Sequence, residues 1–65
     1  MSREVVFRDV AADTAVVETW DAASYPPIPV PGDVVLLGGD EWHVVDRTIA
    51  RADDVYGLTC YVERV

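Results

Sequence analysis

The sequence contains no lysine, asparagine or glutamine, a single cysteine, a single histidine and no long apolar run. Each absence removes a class of answer. With Cys60 as the only cysteine, no disulfide can form within the chain, and a lone cysteine inside the strand-like run LTCYV reads as a small buried apolar residue. His43 and Cys60 are the only nitrogen and sulfur ligands, whereas a structural zinc site takes four, so no metal and no cofactor is assigned. No apolar stretch approaches the roughly 20 residues that cross a bilayer as a helix. Met1-Ser2-Arg3-Glu4 leads into only three apolar residues before Arg8 and Asp9, which is not a secretory leader. The expectation is therefore no membrane association and a cytoplasmic or virion location.

The charge is one-sided. Twelve acids against five arginines leave a formal charge of -7 and a pI near 4.2. A phosphate backbone is bound through Lys and Arg that displace counterions, and the arginines at 3, 8, 47, 51 and 64 form no local basic run, so nucleic acid is an unfavoured partner. An acidic, lysine-free composition fits a high-GC genome or a protein that works in high salt, where self-repulsion is screened within a few ångströms. A halophilic or high-GC source is expected.

Size limits the core. A domain of 65 residues buries only about 60% of the surface its unfolded chain exposes, and scaffolds this small usually lean on disulfides, a metal or another chain. The first two being disfavoured, association remains.

Along the chain, Glu4 to Val10 (EVVFRDV) reads as a first strand, Ala11-Ala12-Asp13 as a connection and Thr14 to Trp20 (TAVVETW) as a second strand in a hairpin with the first. The adjacency of Val16 and Val17 spoils strict alternation, and a short helix over 11–23 is the competing assignment. From Tyr25 to Gly32 the chain has four prolines in six positions, 26 to 31. Proline fixes its own φ and biases the preceding residue away from helix, so this segment is extended. Such a segment could serve as a peptide ligand for an SH3 or WW domain; placed between strands, it reads instead as a strap across one end of a small barrel, with Ile28 and Val30 on the core.

Pro31-Gly32-Asp33 is turn chemistry. Val34 to Leu37 is a short apolar strand, Gly38-Gly39 or Gly39-Asp40 the reversal, and Glu41 to Ile49 the returning strand with Trp42 and Val44 inward. Past Val44 the parity fails, and a bulge near Val45-Asp46 restores it. Ala50 to Asp54 reads as a polar loop. Val55 to Val65 is the last strand, with Leu58, Cys60 and Val62 on one face and Thr59, Tyr61 and Glu63 on the other. The expected fold is all-β: one small domain over 1–65, a five-stranded, SH3-like, partly open barrel with a proline-rich strap between strands 2 and 3.

The residues PGDVVLLGGDEWHVV resemble a hairpin that recurs in short SH3-like barrel proteins of tailed viruses and their prokaryotic hosts, in which GD-x-V-x-L-x-G precedes an aromatic-x-V. They are less similar to the KOW segment of ribosome- and transcription-associated barrels. The resemblance covers about a quarter of the chain and implies an accessory or structural barrel rather than an enzyme. Where a KOW barrel places basic residues beside the turn, this chain has Asp40 and Glu41.

No constellation for catalysis stands out. Asp33, Asp40, Glu41 and Asp46 lie on the hairpin, but turn acids on an acidic surface are ordinarily solvated, and general acid–base work needs a pocket. Asp53-Asp54 and Asp40-Glu41 could offer oxygen to calcium or magnesium, without the spacing of a cation loop. His43 and Cys60 fall on opposite faces, and Ser2 and Ser24 stand in no nucleophile motif. The aromatics say more: Trp20, Tyr25, Tyr56 and Tyr61 exceed what a thin core needs, and aromatic side chains concentrate at interface centres. These four are the candidate protein interface. The sequence thus favours a non-enzymatic structural or protein-interaction module, virion-associated or an accessory of a virus or mobile element, which associates with itself or a protein partner. The alternative is a nucleic-acid-binding barrel in which the fold gathers Arg47, Arg51 and Arg64, or an acidic surface that mimics a DNA backbone.

Overall fold

The computed structural model describes residues 2–21, 28–52 and 55–65, with side chains over 4–21, 28–50 and 57–65. Five strands, β1 (Ser2–Asp9), β2 (Ala15–Asp21), β3 (Val34–Leu37), β4 (Asp40–Ala52) and β5 (Val55–Arg64), form one mixed sheet curled into a half-barrel. The strand order is β2-β1-β5-β4-β3. Every pairing is antiparallel except one, where β1 and β5 run parallel from Ser2↔Val55 to Asp9↔Val62. Sequence expectation had reached the strands but not this pairing, which joins the ends of the chain and leaves β2 and β3 as the two edges.

Two departures from alternation in the sequence are bulges in the sheet. Between β1 and β2, Phe7 pairs with Glu18 and Arg8 with Val16, so Val17 is the extra residue. The adjacent valines are thus compatible with a strand, and the helix over 11–23 does not form. Between β4 and β5, Val44 pairs with Val62 and Asp46 with Tyr61, which makes Val45 the extra residue in the expected place. β4 then continues to Ala52, so Ala50, Arg51 and Ala52 are strand rather than loop; Asp53 and Asp54 lie outside the described residues.

The turns follow from local chemistry. Gly38 and Gly39, at φ +61° and +89°, make the two-residue reversal between Leu37 and Asp40, the primed geometry whose twist matches that of the flanking strands. Val30-Pro31-Gly32-Asp33 is a tight turn with Gly32 at φ +100°, closed by the Asp33 N–H on the Val30 carbonyl at 3.0 Å and by the Val30 N–H on Asp33 Oδ2 at 3.0 Å. Gly32 N–H then donates to the Val44 carbonyl at 2.9 Å, so this turn continues the β3 side of the sheet up to the bulge. The β1–β2 connection is a 3-10 turn over Val10–Ala12, started by Asp9, whose carboxylate accepts from the Ala11 N–H at 2.9 Å.

The core is the concave face. Val5 and Phe7 of β1, Leu37 of β3, Trp42 and Val44 of β4, and Leu58, Cys60 and Val62 of β5 are buried in one cluster, with Val17, Trp20, Ile28 and Val35 packed around it. Trp42 and Val44 point inward and His43 outward, as the alternation predicted. The expectation for the proline segment holds for Ile28 but not for Val30, which is 41% exposed; Pro29 is the buried residue instead. The tight turn at 30–33 reverses the extended run one residue early and shifts its inward phase.

Candidate protein interface

The sequence singled out four aromatics, of which the structure describes the side chains of Trp20 and Tyr61, on opposite faces of the sheet. Trp20 sits on β2 opposite Val5, half-buried, with its ring edge-on to Phe7 at a centroid distance of 4.6 Å and 64° between planes. Its indole N–H donates to Glu18 on the same face of the strand. Such an edge-on aromatic pair contributes about 0.5–1.5 kcal/mol beyond area burial, so Trp20 closes the β2 side of the core. Tyr61 is half-buried on the convex face, in register with Arg8 and Asp46. Tyr56 occupies a register row with Arg3 and Arg51. Tyr25 lies outside the described residues.

Arginine placement bears on partners more directly. Arg8 donates to the Thr14 carbonyl at 2.9 Å and ties down the 3-10 turn. Arg64 lies 5.7 Å from the Trp42 ring centroid and pairs with Asp40 at 2.9 Å, both side chains mostly exposed. Arg47, by contrast, stands opposite Cys60 in the farther half of β4 and donates to the Pro29 carbonyl at 3.4 Å. Arg51 follows four residues along the same strand, and Arg3 shares its row across β5. Gathering is therefore partial: Arg47 and Arg51 share one stretch of strand with Arg3 near it, while Arg64 is held at the opposite end of β4. The reason is the 13-residue length of β4, whose two halves serve different neighbours.

That division exposes a feature the sequence reading missed. β3 covers only Asp40 to His43, so β4 from Asp46 to Ala52 has β5 on one side and, among the described residues, no paired strand on the other. The Arg47 N–H is satisfied locally, donating to Asp46 Oδ1 at 2.8 Å rather than to β5. In an antiparallel ladder the residues bonded to a given neighbour alternate, so the outward backbone groups belong to Arg47, Ile49 and Arg51. Ile49 pairs with the buried Leu58 yet is 54% exposed, since among the described residues no strand lies on its outer flank. The signal was present in RTIAR, where alternation continues past the residue at which a loop was expected.

Among the described residues the remaining chemistry-bearing side chains do not converge. His43 is exposed on the convex face opposite Glu63, whereas Cys60 is fully buried on the concave face. Burial pushes the Cys60 thiol pKa up, and the nearby Arg47 charge opposes that only in part. Asp33 is held in its turn by Val30 and Asp40 by Arg64, and no group of three His, Cys, Asp or Glu residues placed to hold a metal occurs among the described residues. Among those residues no helix is long and apolar enough to cross a membrane. In comparisons with known proteins, no protein-family model, no curated protein and no solved structure matches this chain.

Proposed function

We propose that the chain is a non-enzymatic protein-interaction or structural module that completes its open half-barrel against another protein chain. The observation that carries this reading is the farther half of β4, which among the described residues has no strand on its outer side, with Ile49 exposed on the same sheet face that buries Leu58. A thin core with an open flank gains apolar burial most readily from a second chain. The proline-rich segment connects β2 and β3, the two edges of the sheet, and Ile28 packs against the core. We read it as a strap over the concave side in the SH3-like sense, leaving the Asp46–Ala52 flank for the partner. A virion or mobile-element accessory role, in a halophilic or high-GC source, is the setting that the composition and the hairpin resemblance favour.

Light scattering after size exclusion at low salt and at about 2 M salt, combined with capture of partners from the source organism, tests the reading. An oligomer or a specific partner complex is expected. A monomer under both conditions with nothing captured would remove it.

A further inference from the structure

We infer that the Asp46–Ala52 edge of β4 accepts an extended acidic segment of a different protein as an added strand; this rests on the interaction reading above and names its surface and partner chemistry. Three observations converge on it. The outward backbone groups of Ile49 and Arg51 lack strand partners among the described residues, which is the template that β-strand addition uses. Ile49 supplies an exposed apolar contact next to buried Leu58. Arg47 and Arg51 flank it at i−2 and i+2, so the edge reads Arg-x-Ile-x-Arg at one phase of the pleat, in a chain of net charge -7.

Charge decides the occupant. If two copies paired β4 antiparallel about a twofold axis at Ile49, Arg47 would face Arg51 of the other copy, twice. Like charges directly opposite are unfavourable in a sheet, so this edge is biased against its own copy. An incoming strand with carboxylates two residues to either side of an apolar residue would set an acid in register with each of the two arginine positions. A nucleic acid could use the arginines but not the free strand edge, and Asp46 next to Arg47 would repel it.

The test is titration of the full chain, labelled with nitrogen-15, with a synthetic peptide that alternates glutamate with valine and threonine, using a lysine counterpart and a single-stranded oligonucleotide as controls. The expected result is amide shifts concentrated at 47–51 with the glutamate peptide only. The double variant R47E with R51E should weaken that peptide by about tenfold or more and gain the lysine peptide in its place. Because Arg47 also touches Pro29, R51E alone serves as a second variant, with the same direction of change. Ile49→Pro removes an outward N–H without removing a bond to β5, a substitution that edge strands tolerate, and should abolish binding in a folded chain. Shifts centred on β2 or β3, equal response to both peptides, or binding of the oligonucleotide in place of the peptide would overturn the inference. If light scattering or capture yields an assembly while 47–51 stay unshifted, only this inference falls; if neither yields anything, the interaction reading falls with it.

Discussion

Two side chains show how the core tolerates its small size. Trp42 is 7% exposed and its indole N–H is buried without an acceptor among the described residues. Leaving such a donor unmet costs roughly 1–3 kcal/mol, so Trp42→Phe should give back part of what it loses in packing and lie within about 1 kcal/mol of the parent, whereas Trp42→Ala should cost about 3–5 kcal/mol. Urea unfolding monitored by circular dichroism measures both. Cys60 is fully buried opposite Arg47, with its thiol pKa raised by burial. A raised folded-state pKa keeps the thiol neutral in the native state while the unfolded chain ionises first. Its contribution is thus intact below the ordinary thiol pKa of about 8.5 and is lost as pH rises through the higher folded value. Stability should therefore decline in that alkaline window, and Cys60→Ala should flatten the decline; an unchanged slope in the variant would contradict the assignment. The sequence made Cys60 legible as core because Leu58, Cys60 and Val62 alternate. It could not show that Trp42 lacks an acceptor, because that depends on what β3 and Ile28 bring to the concave face.

At the scale of elements, turn chemistry carries most of the register. Gly38 and Gly39 have open space where a side chain would sit, so a substitution there meets only the conformational penalty of positive φ. Gly39→Ala should cost about 1–2 kcal/mol, and Gly38→Asn much less, since asparagine tolerates the left-handed region. The β1–β2 turn holds the opposite case. Asp13 and Thr14 both have positive φ, 55° and 59°, and a β-branched residue there is strained. Replacing Thr14 with Gly should raise the denaturation midpoint, since the Thr14 N–H bond to the Asp9 carbonyl is made by backbone alone. The glycine hairpin, the Val45 bulge and the inward Trp42 were readable because each depends on neighbours in sequence. The parallel β1–β5 pairing was not, since strands some fifty residues apart leave no mark on each other's local pattern. Counting aromatics likewise does not say which side of a sheet, or which end, each one occupies, which is why the convex placement of Tyr61 was not legible.

For the whole molecule, the surface charge and the open flank act together. Net charge of -7 on a chain with a Cα radius of gyration of 11.3 Å implies self-repulsion that salt screens. The midpoint of thermal unfolding should rise from low salt to about 2 M sodium chloride, and the exposed Arg64–Asp40 pair is worth at most about 1 kcal/mol against that trend. In the isolated chain, β4 beyond its bulge presents an outer edge that no strand pairs among the described residues. Residue-resolved amide hydrogen exchange tests this most directly. The Thr48 and Ala50 amides, which face β5, should be protected, while the Ile49 and Arg51 amides should exchange at rates close to those of free peptide. Protection of Ile49 and Arg51 equal to that of Thr48 and Ala50, in a chain shown to be monomeric, would mean that the edge is already covered and closed to an added strand.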